Sequence, residues 1–373
     1  MRKLTVLLIL VCVLLNFSVV HVFSETRVTE KPNIKIIING TTISCNDVPL
    51  IVNGRTMLPL RSLLTNLGVE NDDQHIIWNN SENSVTIIKD TTNIYLRVGD
   101  SNAKINNIDL IIDSSPINYK DRVYIPVRFI AQSFGKKVAW DEFTNTIYIR
   151  DEVEFEKVKS ILENAISNFN SIEKYKINWS FEKKRIVNDQ KISIHIIKEL
   201  IEKNLKTDSQ YNKRDLYDHK QLKTVEYFYR NSVQYRSDNS RKSWNKIMLN
   251  NSSYNYWMTM DDPKNVVNLR DVLFAGLTTI SEDTNQIVLQ GDVYGIDKLN
   301  GEAIKKNDIF NPHLSDTFFQ IYIDKGNNFV TKTVRSYITP SGPGSDYICE
   351  YTTIHQYSDF NGTFEVSIPN ELK

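Results

Sequence analysis

Cysteine is scarce. There are three in 373 residues, and one of them, Cys12, falls inside the first apolar run. That leaves Cys45 and Cys349, too few for a disulfide-stapled scaffold. A bridge between them is open outside the cytoplasm, but two buried free thiols are the expectation. Thirteen glycines and ten prolines are too few for a collagen-like or low-complexity chain. Net charge is missing as well, since 45 basic residues balance 45 acidic ones. Residues 1–24 carry only Arg2 and Lys3 as charges, so without them 43 basic residues face 45 acidic. This balance excludes a generally basic binder of nucleic acid or membrane surfaces. What is present, 40% hydrophobic and 24% charged residues, suffices for two or three domains with their own cores.

A long apolar run occurs at the N-terminus, from Val6 to Leu15. Arg2 and Lys3 precede it, and a mixed segment ending Val22-Phe23-Ser24 follows. This order of charge, apolar run and small residues is that of a secretory signal peptide cleaved after Ser24. The alternative is an uncleaved anchor, against which Asn16, Ser18 and His21 interrupt the run. Cys12 follows Val11 in mid-run, so it is not placed as the acylated cysteine of a lipoprotein.

The chain repeats itself. Pro49 and Pro116, Pro59 and Pro126, Arg61 and Arg128, and Gly68 and Gly135 are each 67 residues apart. Trp78 and Trp140 are 62 apart, so the first unit carries five extra residues near Glu70–Gln74. Asn53-Gly54 and Lys120-Asp121 sit where tight hairpin turns belong. Pro59 and Pro126 end a strand and open a helix. Leu60, Leu63, Leu64 and Leu67, like Val127, Ile130, Ala131 and Phe134, follow helical spacing up to a C-capping glycine. Trp78 and Trp140 are expected to cover these helices from the next strand. Arg61 and Arg128 read as structural, paired with carboxylates or carbonyls.

This doubled pattern of turn, Leu/Ile-Pro-x-Arg, short helix, Gly, Trp and strand resembles the copper amine oxidase N-terminal-like domain, over residues 33–150. The resemblance implies a small antiparallel sheet wrapped on helices, without copper and without catalysis. It also points to secreted and surface proteins of spore-forming Gram-positive bacteria. Oxidase chemistry fails on the residues themselves. Its quinone cofactor needs an acid after Asn-Tyr, whereas here Asn118-Tyr119 precedes Lys120 and Asn255-Tyr256 precedes Trp257. The six histidines never form His-x-His.

Residues 152–373 read as a second domain. Val158, Ile161, Leu162, Ala165, Ile166 and Phe169 form a helical stripe. Tyr175, Ile177, Trp179 and Phe181 alternate as a half-buried strand, as do Val225–Tyr229, Phe319–Ile323 and Tyr347–Tyr351. Ile192–Leu200 is open between strand and helix, since Ile192, Ile194 and Ile196 suit a strand while Glu199–Leu205 suits a helix, and Val266–Ile280 reads as a second helix. The polar turns fall at Lys325–Asn328, Ser341–Gly344 and Asp359–Gly362. The expected fold is α+β, a curved antiparallel half-barrel with helices on one face. Phe319–Asp324, Val330–Val334 and the tail Tyr357–Asn361 through Ile368–Glu371 carry a resemblance to the LolA/LppX-like lipoprotein fold. That resemblance implies an apolar cavity for an acyl chain or lipid.

Signals for chemistry are weak. His195, His219, His313 and His355 are too far apart for metal-ligand spacing, so no metal and no cofactor is expected. Asp261-Asp262-Pro263 and Asp292–Asp297 lack the spacing of a calcium loop and read as caps and turns. Gly342-Pro343-Gly344 is no phosphate loop, and no Gly-x-Ser-x-Gly elbow occurs. The densest aromatic zone runs from Tyr227 to Trp257, interleaved with Arg230, Arg236, Arg241 and Lys242. It reads as sheet core and edge rather than a stacking site for sugars or single strands. A ligand site is expected where this sheet meets the second helix: Tyr227, Tyr229, Trp244, Trp257, Leu273, Phe274 and Leu277. The functional expectation is a secreted, envelope-associated, non-enzymatic protein. It would have an N-terminal scaffold or adhesion module, a C-terminal domain for a lipid-like ligand, and a cell-wall or surface-protein partner but no nucleic acid. The alternative is a structural or interaction protein whose barrel is filled by its own side chains.

Overall fold

The computed structural model describes residues 27–45, 47–142, 144–218, 221–238, 243–259, 261–267, 269–292, 315–340, 348–366 and 369–372. Residues 1–24, expected to be a signal peptide, lie outside them, as do His219, His313, Arg241, Lys242 and residues 341–344, where a polar turn is expected. The fold is α+β, dominated by antiparallel sheet.

Three small sheets form the N-terminal module. The first joins β1 (Val28–Glu30), β4 (Leu50–Val52) and β5 (Arg55–Pro59) to β12 (Arg122–Pro126) and β11 (Ile117–Tyr119). The second is a meander of β6 (Ile76–Asn79), β7 (Ser84–Lys89), β8 (Thr92–Arg97), β9 (Asn102–Ile105) and β10 (Ile108–Ile111). The third orders β13 (Lys136–Asp141), β14 (Thr146–Asp151), β2 (Lys35–Ile38) and β3 (Thr41–Ile43), with β2 parallel to β14. Leu58 of β5 lies opposite Ile125 of β12. These residues are themselves 67 apart, so a pseudo-two-fold axis passes between them.

The repeat's local chemistry accounts for its shape. Asn53, Gly54, Lys120 and Asp121 all have φ between +49° and +79°, the conformation of a two-residue hairpin turn matched to strand twist. Helices α1 (Leu60–Asn66) and α2 (Val127–Ser133) start directly after the prolines. Gly68 and Gly135 follow them at φ +82° and +65°, where a side chain would be strained. Leu63, Leu64, Ile130 and Ala131 enter one core with Ile87 and Ile149. The two tryptophans depart from expectation, being 38% and 39% exposed. Ile76 and Val138, two residues earlier on the same strand faces, take the positions over the core. The helices, about 10 Å long at 1.5 Å per residue, are too short to be covered further along.

The third sheet joins the two halves of the molecule. Ile36, Ile38, Ile147 and Ile149 face the N-terminal core, while Ile37, Ala139 and Tyr148 face the C-terminal one. Burial on both faces is why this stretch reads as a continuous apolar run instead of an alternation. Tyr148 donates to the Asp292 carbonyl at 2.8 Å. Arg150 donates to Thr278 at 3.0 Å, and Lys35 pairs with Asp292.

The C-terminal part opens with α3 (Glu152–Phe169). It continues through β15 (Lys174–Val187), β16 (Gln190–Asn204), β17 (Ser209–Asp218), β18 (Gln221–Arg230), β19 (Val233–Ser237) and β20 (Asn245–Met248). Three short helices follow: α4 (Asn251–Thr259), α5 (Pro263–Val266) and α6 (Asp271–Gly276). The chain then forms β21 (Thr278–Glu282), β22 (Gln286–Gly291), β23 (Ser315–Asp324), β24 (Val330–Pro340) and β25 (Ile348–Ser358). These strands make one eleven-stranded antiparallel sheet in which β15 and β25 pair centrally and two meanders run outward to edges at β20 and β21. A twisted sheet of this width curls. Its inner face packs on the helices, with Leu162 and Phe169 of α3 and Leu273 and Phe274 of α6 meeting Tyr175, Ile177, Phe319 and Ile321. No helix among the described residues is long and apolar enough to cross a membrane.

Two expectations are corrected here. Glu199–Leu205 is not helical, because β16 pairs with β15 and β17 along its length and sends Glu199, Ile201 and Lys203 to the inner face. Val266–Ile280 is not one helix either. Leu277 is extended at φ −90°, ψ 146°, and the β-branched Thr278-Thr279-Ile280 enters β21 beside β22. Cys45 and Cys349 are both free, Cys349 fully buried and Cys45 partly so.

Candidate functional site

The inner face of the large sheet carries a belt of buried charge. Lys203, 0% exposed, donates from Nζ to Asp262 Oδ1 at 2.7 Å and to the Met258 carbonyl at 2.8 Å. The second bond places an ammonium at the C-terminal end of α4, where it complements the helix dipole. The Tyr175 hydroxyl donates to the same Asp262 oxygen. Asp262 precedes α5 as its N-cap residue, yet its side chain makes no capping bond. The sheet takes the carboxylate instead, which corrects the reading of this Asp-Asp-Pro as a simple cap. Asp261 faces His355 Nε2 at 3.1 Å, and its carbonyl accepts from Tyr357 at 3.0 Å. Four sheet side chains from β15, β16 and β25 thus clamp one two-residue segment between α4 and α5.

Beside the clamp, Glu199 accepts from Arg214 at 2.9 Å and from Asn212 at 2.7 Å. Burial pushes the Glu199 carboxyl up, against the opposing pull of Arg214. Burial acts in the same direction on Asp261, but there the His355 hydrogen bond and the nearby cations prevail and hold it below the usual carboxylate range. Tyr175 is raised well above an ordinary phenol by burial and by Asp262. Thr333 Oγ1 lies 3.4 Å from His355 Nδ1, so hydroxyl, imidazole and carboxylate stand in a row. Thr333 is buried, only 1% exposed. The row serves to tie helices to sheet.

Further along the same strands the face turns aromatic. Trp179 stacks near Phe181 at 6.2 Å, Phe181 meets His195 at 6.3 Å and Tyr351 at 6.2 Å, and Tyr351 stacks on Tyr337 at 5.1 Å. All five side chains are half-buried, and they span β16, β15, β25 and β24. Burial, then Tyr351, pushes the Tyr337 hydroxyl up to about 12. The five rings form a contiguous, half-open aromatic band on the sheet's inner face. The sequence hinted at it only through the Tyr175–Phe181 alternation, since the partner rings arrive from strands far away in the chain.

The seven residues anticipated as ligand contacts are dispersed. Tyr227 and Tyr229 share the inner face of β18 with rings 6.2 Å apart, Tyr227 under Arg214 and Arg236, and Tyr229 accepting from Gln234 at 2.8 Å. Trp244 packs with Phe228, Tyr211 and Val366, on the opposite face of β18. Leu273, Phe274 and Leu277 lie deep in the core, Phe274 edge-on to Phe155 at 5.6 Å. The Trp257 side chain lies outside the described residues, although its backbone belongs to α4. Glu70 and Asp72 of the five-residue insertion group with His75, the residue directly after it, with ligand atoms within 4.8 Å of one another. Asp72 Oδ1 accepts from the His75 ring and from two backbone amides, so the turn itself accounts for the grouping.

Residues 37–149 match the family model of the copper amine oxidase N-terminal domain. No curated protein sequence matches the chain. Among solved structures the chain is similar to the lipoprotein LppX of Mycobacterium tuberculosis, at 10% identity over 57% of this chain and 99% of that one, with a TM-score of 0.32. It is similar to LprF from Mycobacterium bovis at 8% identity, 57% and 97% coverage and a TM-score of 0.32. A LolA superfamily protein from Nitrosomonas europaea gives 10%, 57%, 96% and 0.20.

Proposed function

We propose that this chain is an exported, envelope-associated, non-enzymatic binding protein. Its N-terminal module acts as scaffold or adhesion unit, and the inner face of its large sheet holds an apolar, lipid-like ligand. The observation that carries this reading is the band Trp179, Phe181, His195, Tyr337 and Tyr351, half-open on the face whose deep end, at Tyr175, Ile177, Phe319 and Ile321, packs on the helices. Contiguous aromatic surface left open next to a packed core is the usual mark of a binding surface. The leader-like segment 1–24 supports export. A second reading, a scaffold without ligand, draws on the deep end of the same face, where Leu273, Phe274 and Leu277 fill the space between sheet and helices.

The two readings separate on one titration. With the purified protein and cis-parinaric acid, a fluorescent polyene fatty acid, saturable binding is expected. Phe181→Ala and Tyr351→Ala should each weaken it about tenfold, corresponding to about 1.4 kcal/mol. Absence of binding, or binding that neither substitution alters, favours the scaffold.

A further inference from the structure

Two recesses in the N-terminal module are related by the pseudo-two-fold axis between Leu58 and Ile125. The first, about 650 Å³, sets Arg61 and Trp78 of the first unit against Asp121 and Arg122 of the second unit's hairpin. The second, about 250 Å³, sets Arg128 and Trp140 against Gly54 and Arg55 of the first unit's hairpin. An aspartate from the preceding loop completes each: Asp47 lies 3.6 Å from Arg122, and Asp113 pairs with Arg55. Each recess therefore takes its tryptophan from one unit and its second arginine from the other, and the whole arrangement occurs twice.

The tryptophans bear on what these recesses hold. Both expose more than a third of their surface, a costly state for an indole that the duplication retains in both copies. Neither ring stacks on another ring or a cation among the described residues. The Trp78 N–H is already donated to Asn80 at 2.6 Å, so the ring presents its apolar faces. Beside it, Arg61 binds Asn71 at 2.6 Å, while Arg128 has no hydrogen-bond or ion-pair partner among the described residues. An open indole face flanked by guanidinium donors and a carboxylate acceptor matches a pyranose ring. Such a ring presents a C–H face to the aromatic surface and hydroxyls that both donate and accept at its rim. The first recess is balanced, with two arginines and two aspartates, and the second carries the single net charge of Arg128, since Asp113 neutralises Arg55. That disfavours selection for a strongly acidic ligand.

We propose that the two recesses are paired saccharide subsites for a neutral oligosaccharide strand, with Trp78 and Trp140 as stacking platforms. This names a ligand for the module that the preceding section reads as an adhesion unit, and it rests on that reading only for the module's place at the envelope. Duplication gives each chain two such sites, and a strand that reaches both gains apparent affinity over either alone.

The test is calorimetric titration of the purified protein with the β-1,4-linked hexasaccharides of N-acetylglucosamine and of glucose, alongside a hexaglutamate peptide. One of the two saccharides is expected to bind. Trp78→Ala and Trp140→Ala should each weaken it ~5–10-fold, and the double variant should abolish it. Trp78→Phe and Trp140→Phe should restore most of the affinity, and the melting temperature should stay within ~2 °C because both side chains are at the surface. Binding of neither saccharide, saccharide binding unchanged in the double variant, or binding of the hexaglutamate alone overturns the proposal. The parinaric acid titration reads a different face of the molecule, so failure of either experiment leaves the other claim standing.

Discussion

Lys203→Met should destabilise the protein by about 3–5 kcal/mol, the cost of stranding a buried charge by removing its partner. Lys203 and Asp262 have side-chain exposures of 0% and 1% at 2.7 Å separation. Once the ammonium is gone, Asp262 keeps only the Tyr175 hydroxyl, with the Asp261 carboxylate next in the chain. The pair itself need not be a net source of stability, because both ions were taken out of water to form it. The double variant Lys203→Met with Asp262→Asn should therefore recover a large part of the loss. Urea unfolding of the two single variants and the double variant supplies the cycle. A coupling above about 1 kcal/mol is expected for groups in direct contact. A Lys203→Met midpoint close to that of the parent would contradict the clamp.

Gly291→Ala should be comparably severe for a different reason. A Cβ at Gly291 would stand 2.1 Å from the Gly276 carbonyl oxygen, 2.9 Å from its carbon and 3.2 Å from Leu277 Cα. These are backbone atoms and no rotamer change relieves them. The end of β22 and the end of α6 approach this closely because Gly291 has no side chain, and Leu273, Phe274 and Leu277 beside it lie in the core. Overpacking against backbone costs about 3 kcal/mol, the upper part of the usual range. Near-ultraviolet circular dichroism and the urea midpoint should both show it. A variant as stable as the parent would mean that α6 is free to shift, and the deep end of the sheet would then be softer than its burial indicates.

How much of this was legible in the sequence depended on how local the determining chemistry is. The repeat was readable because its markers act on their own neighbours: Pro59 and Pro126 start helices, Gly68 and Gly135 end them, and Asn53-Gly54 turns a hairpin. The exposure of Trp78 and Trp140 was not readable, since it follows from which strand residue two places earlier reaches the core. In the large sheet, alternation marked β15, β18, β23 and β25 correctly. It could not show that β15 and β25, some 170 residues apart in the chain, lie side by side. The aromatic band depends on that pairing. Glu199–Leu205 suits a helix by its local pattern, and only the neighbours Arg214 and Asp262 explain how Glu199 and Lys203 are buried on a strand. At Val266–Ile280 the apolar spacing was right for the core residues and wrong for the backbone. The break at Leu277 is imposed by pairing with β22, which no local pattern announces.

The proposed apolar ligand would sit on the open aromatic band of the large sheet's inner face. Native mass spectrometry of the mature protein, secreted from a Gram-positive host, tests it most directly when run before and after organic extraction. The expected result is a discrete adduct of lipid mass that extraction removes, and whose occupancy falls in Phe181→Ala and Tyr351→Ala. A clean apo mass before extraction, with no uptake when lipids are offered afterwards, would contradict it.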